Sequence, residues 1–291
     1  MANLLLSLAA FTARVLPMPV KRALYRSDPL AKLIRVSLNR VAPSGLSLIR
    51  VAAGGLAGIS FRLDLHSEKD YWLGTYEPEL QSAIDLFVKP GMVAYDVGAN
   101  IGYITLLLAR KVGKSGKTIA FEALPANLVR LRENVELNAL ADRVVIVPMA
   151  VVDHSQTVRF LVGPSGGMGK VDGSGGRKVK GSDVQLEIPG VSLDDFVFSS
   201  GNFAPNVIKM DIEGGEVLAL AGMRRTLVEA QPVIFLECHG PEAGEIVFKT
   251  LRSTGYSIFH MRPGYQQVNQ ENDLDWKAYL VAIPPGVEMP S

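Results

Sequence analysis

The order of short apolar segments beyond residue 90 limits the possible folds of this chain most. Segments typical of buried strands alternate there with segments typical of amphipathic helices. This alternation indicates an α/β domain with a mostly parallel sheet. The predicted strands are MVAYDV (92–97), KTIAFEA (117–123), RVVIVPMAV (143–151), NVIKMDI (206–212) and QPVIFLECH (231–239).

The last two predicted strands, YSIFHM (256–261) and AYLVAI (278–283), are joined by a polar, turn-rich connection without helical periodicity. Parallel neighbours need a crossover, which is usually helical, so this connection predicts an antiparallel pair. The sequence therefore predicts a doubly wound sheet that is closed by an antiparallel last strand. That arrangement differs from a plain dinucleotide-binding fold and is typical of methyltransferases.

Composition fits a globular chain with one large domain and an extension. Of the 291 residues 48% are hydrophobic, and 30 basic residues balance 29 acidic ones, so the overall charge does not indicate nucleic-acid binding. The basic N-terminal segment also lacks the interleaved aromatic residues that stack on bases. We place an N-terminal helical extension at residues 1–57 and the main domain at residues 58–291, and we expect no nucleic-acid partner.

The first 50 residues are strongly basic, with Asp28 as their one acid. Their basic residues are Arg14, Lys21, Arg22, Arg26, Lys32, Arg35, Arg40 and Arg50. Four apolar residues lie near helical spacing: Leu4, Leu8, Phe11 and Val15. The preferred interpretation is a helix packed on its own domain, and the alternative is a weak peripheral contact of residues 1–40 with a membrane surface.

Arg14 interrupts the apolar run well short of the roughly 18 residues that a spanning helix needs. The single cysteine, Cys238, excludes an internal disulfide and suits a reducing compartment. We therefore expect a cytoplasmic protein, or a membrane-peripheral one if the N-terminal segment contacts lipid. The oligomeric state is left open.

A glycine turn follows the first predicted strand, where open α/β sheets bind their ligands. Asp96, Gly98 and Gly102 occur there in the order D-x-G-x-x-x-G. Gly98 permits a tight turn or the close approach of a ligand, because it has no Cβ. Asn100 replaces the middle glycine of the G-x-G-x-x-G fingerprint, which disfavours a pyrophosphate pressed against the backbone.

Glu122 ends the second predicted strand, where an acid can accept hydrogen bonds from both hydroxyls of a ribose. Strand, glycine turn, helix, strand and acid together predict a nucleoside-binding site. The pattern does not by itself choose between NAD and S-adenosylmethionine. Asp96 adds an acid near the turn, which suits a ligand with a cationic amino group.

Several longer stretches carry a family resemblance. The segment YEPELQSAIDLFVKPGMVAYDVGANIGYITLLLARKVGKSGKTIAFEALPANLVRLRENVELN, followed by SLDDF, IKMDIEGGEVLALAGM and PVIFLECHG, resembles the FkbM family of S-adenosylmethionine-dependent methyltransferases. The resemblance runs from about Gly58 to the C-terminus. It implies a class I methyltransferase (Rossmann-like) fold with sheet order 3-2-1-4-5-7-6, S-adenosyl-L-methionine as cofactor, and O-methylation of a hydroxyl on a sugar, glycan or other small molecule.

The candidate cofactor-binding residues lie before and within the strand, turn and helix pattern. Tyr76 and Glu77 precede the helix before the first strand, where a segment can close over the methionine part of the cofactor. The full set is Tyr76, Glu77, Asp96, Gly98, Ala99, Asn100, Gly102, Tyr103, Glu122, Ala123 and Asn127. Ala123 departs from the proline that the family commonly has there, and leaves Glu122 in place.

The candidate catalytic residues are Asp211, Glu213 and His239, at the carboxyl ends of the fourth and fifth strands. Methyl transfer to an alcohol needs alignment of the reactants and a group that accepts the hydroxyl proton. Glu237 shares a face with His239, and Glu216 is expected to stabilise a helix start. No metal site is predicted, because two acids at a helix start are too common to indicate one.

The glycine-rich segment Gly163–Asp183 predicts a mobile surface loop. The methyl acceptor depends on such loops, so the sequence does not identify it. Two other functions are left open: an NAD-linked oxidoreductase, and a scaffold protein that binds the cofactor without turnover. Nucleic-acid methylation is disfavoured, because DIEG stands where an N/D-P-P-Y/F stretch would be expected.

Overall fold

The structure is a computed structural model that describes residues 2–17, 20, 28–163, 168–175 and 184–290. The chain divides into two compact units. The smaller unit comprises Met1–Gln81 with Glu136–Ala139, and the larger comprises Ser82–Val135 with Leu140–Ser291. The smaller unit thus extends past residue 57, where the sequence predicts the end of the extension.

The smaller unit contains helices and an antiparallel β-ribbon. Its elements are α1 (Ala2–Val15), α2 (Asp28–Val41), β1 (Leu46–Arg50), β2 (Ser60–Asp64), α3 (Lys69–Leu73) and the start of α4 (Pro78–Phe87). The strands β1 and β2 pair antiparallel. Phe61 and Leu63 of β2 are buried, as expected for the inner face of a ribbon that is covered on one side.

Helix α1 exposes an apolar stripe, whose described members are Leu5, Leu8, Phe11 and Val15. The side chain of Leu4 lies outside the described residues. None of the described helices is both long and apolar enough to cross a bilayer. Contact of this stripe with a membrane surface stays a prediction.

The larger unit holds a seven-stranded sheet in the order β12-β13-β11-β10-β3-β4-β5. The predicted α/β fold and the sheet order 3-2-1-4-5-7-6 are confirmed, because numbering these seven strands along the chain gives that order. Its strands are β3 (Val93–Val97), β4 (Lys117–Phe121), β5 (Val144–Val147), β10 (Val207–Met210), β11 (Val233–His239), β12 (Ser257–His260) and β13 (Lys277–Ile283). As predicted, β13 runs antiparallel to β11 and to β12.

Helices cover the sheet, so its central strands are buried on both faces and consist almost entirely of apolar residues. These helices are α5 (Tyr103–Val112), α6 (Pro125–Leu137), α7 (Glu216–Ala221) and α8 (Pro241–Ser253). Helix α5 packs on β3 and β4, and α8 packs on β11 and β12. Helix α7 begins at Glu216, because Glu213 and Gly214 both have positive φ angles and cannot continue a helix.

A second, four-stranded sheet in the order β6-β9-β7-β8 was not predicted. It is formed by β6 (Ala150–Val151), β7 (Thr157–Val162), β8 (Gly169–Val171) and β9 (Gln185–Val191). The prediction of a loop throughout Gly163–Asp183 is wrong for β8, which pairs antiparallel with β7. Residues 164–167 and 176–183 of that segment lie outside the described residues.

Three aromatic side chains close the core beneath β3 and β4. The Phe121 ring lies 5.5 Å from that of Tyr95 and 5.0 Å from that of Phe196. Phe196 belongs to a π-helical turn (Asp195–Ser199), and the N–H of Asp195 donates to the Ser192 hydroxyl just before that turn. These edge-on contacts hold the turn against the sheet.

We expect Phe196→Ala to lower the free energy of unfolding by about 3–5 kcal/mol, because it removes a large buried side chain and leaves a cavity. Phe203→Ala is the matched control, since Phe203 is 65% exposed and only its backbone carbonyl bonds to Tyr95. Urea unfolding curves of the two variants measure the difference. Equal effects would contradict a core role for the Phe196 ring.

Candidate active site

The turn between β3 and α5 joins the ends of three strands. The N–H groups of Gly98 and Ala99 both donate to the carbonyl oxygen of Phe121 at the end of β4, at 3.0 and 2.9 Å. Gly98 has a φ of +82°, and a Cβ there would lie 2.1 Å from the carbonyl oxygen of Asp211, which follows β10. Only glycine fits this position without displacing the end of β10.

Gly102 ends the same turn and begins α5. It has a φ of +96°, and a Cβ there would lie 2.6 Å from Cδ1 of Leu131 in α6. The Asn134 side chain of α6 donates to the carbonyl oxygen of Ile101 at 2.9 Å. The start of α5 is therefore held against α6. The sequence pattern did not indicate this contact between the two helices.

Glu122 lies at the end of β4, as predicted, and is 6% exposed. Its carboxylate accepts the N–H groups of Asn100 at 2.7 Å and Leu124 at 2.8 Å, and the Asn127 side-chain amide at 3.3 Å. Burial raises the pKa of Glu122, and these three hydrogen bonds act against that rise. Since a carboxylate offers about four acceptor positions, these bonds do not saturate it.

A buried ion pair that the sequence analysis missed lies directly beneath the turn. Asp96 is fully buried, and its carboxylate accepts the Thr105 hydroxyl at 2.6 Å and lies 3.3 Å from Nζ of Lys209. Lys209, in β10, also donates to the carbonyl oxygen of Gly98 at 2.8 Å. Asp96 thus anchors the turn through neighbouring side chains, and its direct contact with a ligand stays a prediction.

The predicted catalytic residues come together at the ends of β10 and β11. Ligand atoms of Asp211, Glu216 and His239 all lie within 4.8 Å of one another. The Glu213 carboxylate lies 3.7 Å from Nε2 of His239, and its side chain is 38% exposed. Asp211 and Glu213 are both half-buried.

His239 is 4% exposed and is surrounded by carboxylates. Its Nε2 lies 2.8 Å from Oε1 of Glu237, and its Nδ1 lies 3.5 Å from Oε1 of Glu216. Burial opposes the imidazolium form, but the neighbouring carboxylates of Glu216 and Glu237 outweigh it and raise the pKa of His239 to about 10. The raised pKa favours the imidazolium form of His239 at neutral pH.

Glu237 is also paired with Lys277, whose ammonium contacts Oε1 of Glu237. Burial opposes ionisation of Glu237, yet its pKa is lowered by His239 and Lys277 together. Glu216 is fully buried, and its Oε1 accepts the N–H groups of Ile212 and Gly214, as expected for an acid that stabilises a helix start. Its contact with His239 was not anticipated.

The glycine-rich segment also reaches this region. A Cβ on Gly175 would lie 3.5 Å from the carbonyl oxygen of Gly214. Lys170, in β8, is 7% exposed and donates to the carbonyl oxygens of Ser174 and Gly175. Burial lowers the pKa of Lys170, against the pull of nearby carboxylates that include Glu213 and Glu216. No sequence signal placed this lysine near the predicted acids.

The remaining candidate residues lie in different places. Ala99 and Tyr103 are buried at the turn and at the start of α5, and Ala123 is half-buried after β4. Tyr76 and Glu77 lie in the smaller unit, where the carbonyl oxygen of Tyr76 accepts the Gln81 side-chain amide at 2.6 Å and Glu77 has a φ of +43°. Contacts of these five residues with a cofactor stay predictions.

The model of the methyltransferase FkbM domain matches residues 96–258, which is more than half of the chain. The chain belongs to the FkbM methyltransferase family. The match begins at Asp96 and includes the glycine turn, Glu122 and the carboxylate cluster. The predicted family and fold class are therefore confirmed.

Two curated proteins show the range of similarity. Hexuronic acid methyltransferase AglP of Haloferax volcanii is 28% identical over 189 residues, which cover 63% of this chain and 72% of AglP. Protein-L-isoaspartate O-methyltransferase of Triticum aestivum is 42% identical over 55 residues, or 19% of this chain, and the chain spans only 24% of that protein. Among solved structures, methyltransferase FkbM of Methylobacillus flagellatus is 18% identical, with a TM-score of 0.41 over 89% of this chain and 60% of its own.

We expect Lys209→Met to lower the free energy of unfolding by about 3–5 kcal/mol, because it leaves the Asp96 carboxylate buried without its cation. Adding Asp96→Asn should restore part of that loss, since no charge is then left unpaired. Lys249→Met, which removes an exposed pair with Glu245, is the control and should cost at most about 1 kcal/mol. Calorimetric melting measures all three. A double variant less stable than Lys209→Met alone would refute this account.

Proposed function

We propose that this protein is an S-adenosylmethionine-dependent methyltransferase that methylates a hydroxyl group on a sugar, glycan or other small molecule. Two observations support the proposal. One is the FkbM domain match, and the other is the position of the glycine turn and the predicted acids at the same edge of the sheet. AglP, by its name, methylates a hexuronic acid, which favours a sugar acceptor. The match also favours methyl transfer over the NAD-linked alternative.

The residues around the turn fit an adenosyl ligand. Gly98 lets the carbonyl oxygen of Asp211 take the place of a Cβ, so the end of β10 lies close against the turn. Glu122 keeps acceptor capacity for a ribose hydroxyl after its three protein hydrogen bonds. We assign Gly98, Ala99, Asn100 and Glu122 to the cofactor. When bound, S-adenosylmethionine supplies an electrophilic methyl group.

We assign the acids at the ends of β10 and β11 to the methyl acceptor. We assign Glu213 as the group that receives the hydroxyl proton, because its side chain is 38% exposed, whereas those of Glu216 and Glu237 are buried. Asp211, beside the glycine turn, orients the hydroxyl. His239 is less suited as the base, since Nε2 is engaged by Glu237 and Nδ1 faces Glu216. It acts by holding these carboxylates in place.

We expect Glu122→Gln to raise the dissociation constant for S-adenosylmethionine by about 10–100-fold, because a charged acceptor of ribose hydroxyls is lost. Isothermal titration calorimetry measures the change. Glu245→Gln is the control, since Glu245 is an exposed acid of α8. Saturable binding of NAD with no binding of S-adenosylmethionine would refute the proposed function and revive the oxidoreductase.

We expect Glu213→Gln to lower the turnover number by about 10²–10⁴-fold while leaving cofactor affinity unchanged, because proton removal is lost and the turn is intact. The assay follows labelled methyl groups into hexuronic acids and fractionated host glycans. Glu245→Gln again serves as the control. Cofactor binding by the native protein without transfer to any fraction would instead favour the scaffold alternative.

A further inference from the structure

The cluster at the ends of β10 and β11 contains two buried polar side-chain atoms that lack a hydrogen bond. Within the part of the chain that the structure describes, neither Oε2 of Glu216 nor Nδ1 of His239 makes one. Both residues are more than nine-tenths buried, at 0% and 4% exposure. Leaving such atoms unpaired is costly, so each indicates a group that is not part of the chain.

We propose that Asp211, Glu216 and His239 bind a first-row divalent transition-metal cation. Each residue offers one ligand atom, and these atoms lie within 4.8 Å of one another. Ligand atoms on opposite sides of a cation with bonds of about 2.0–2.3 Å lie about 4.0–4.6 Å apart, so small side-chain rotations suffice to form the site. The ligands come from the end of β10, the start of α7 and the end of β11.

The surroundings of His239 match those of a metal-binding histidine. Its Nε2 lies 2.8 Å from Oε1 of Glu237, so Nε2–H donates to that carboxylate and leaves the lone pair of Nδ1 for a cation. Metal-bound histidines usually donate their second N–H in this way. Glu237 is itself held by Lys277. The carboxylate that orients the ring is thus fixed from its other side.

The charges of the cluster favour a cation. Three carboxylates, of Glu213, Glu216 and Glu237, lie within 4 Å of the imidazole of His239. A metal binds the deprotonated Nδ1, so the neutral imidazole of His239 is the form that would act as ligand. In the described part of the glycine-rich segment, Lys170 lies near these acids, and its ammonium is engaged by the carbonyl oxygens of Ser174 and Gly175.

The ligand types narrow the choice of metal. Imidazole suits zinc, iron, copper and nickel, whereas carboxylates also suit manganese, magnesium and calcium. Calcium and magnesium bind oxygen ligands and gain little from an imidazole. One imidazole with two carboxylates therefore favours Mn²⁺, Fe²⁺ or Zn²⁺ over Mg²⁺ and Ca²⁺. This site stands on its own distances and does not depend on the proposed methyl transfer.

The test titrates Mn²⁺ into chelator-treated full-length protein, with free Mn²⁺ measured by electron paramagnetic resonance. We expect one equivalent to bind, and Mg²⁺ to compete at least tenfold less well. Glu216→Gln and His239→Gln should each weaken binding at least tenfold, and Glu237→Gln by about 10–100-fold. Glu216→Gln keeps an oxygen that can accept the N–H groups of Ile212 and Gly214, so it should remain folded.

Asp153→Asn and His154→Gln are matched controls, because these residues form an exposed histidine–acid pair. Both should bind Mn²⁺ like the native protein, and circular dichroism checks the fold of each variant. Binding that is absent in the native protein at millimolar Mn²⁺, or that is equal in all folded variants, would overturn the site. If the native protein binds S-adenosylmethionine but not Mn²⁺, only the metal site is refuted. If it binds Mn²⁺ but not S-adenosylmethionine, only the proposed function is refuted.

Discussion

The buried contact of Lys209 with Asp96 and with the Gly98 carbonyl oxygen is the interaction on which the candidate site depends. It joins β3 to β10, the two neighbouring strands at which the sheet order reverses. A crevice opens at such a point because the connections from the two strands leave in opposite directions. Lys209 donates to the carbonyl oxygen of the first residue of the glycine turn. The conformation of the turn at the crevice therefore depends on the ion pair of Lys209 with Asp96.

Buried carboxylates of this site lie next to basic side chains. Lys209 neutralises Asp96 beneath the turn, and His239 is the cation among the acids at the ends of β10 and β11. Lys277 adds a third positive charge from the last strand, which runs antiparallel beside β11. The antiparallel strand is therefore part of the site as well as of the sheet, because its first residue stabilises the ionised form of Glu237.

The sheet could be predicted because its signals are local: apolar strands, glycine turns, and a connection between β12 and β13 without helical periodicity. The same reasoning placed Glu122 and His239 correctly at strand ends. It could not find the contact of Lys209 with Asp96, since only the pairing of β10 with β3 brings the two side chains together. The second sheet was missed for a related reason, because β8 is three residues long and glycine-rich and is defined by its pairing with β7.

Glu216 shows how a local interpretation can be correct and still incomplete. Its Oε1 stabilises the start of α7, as its position in the sequence indicates, and that function would be equally well performed at the surface. Full burial adds a cost that helix stabilisation does not explain, because the second oxygen is removed from water as well. A positive charge beside the carboxylate offsets part of that cost, and His239, at the end of β11, lies 3.5 Å from Oε1. The full burial of Glu216 therefore indicates that this acid stabilises the cluster at the strand ends as well as the start of the helix.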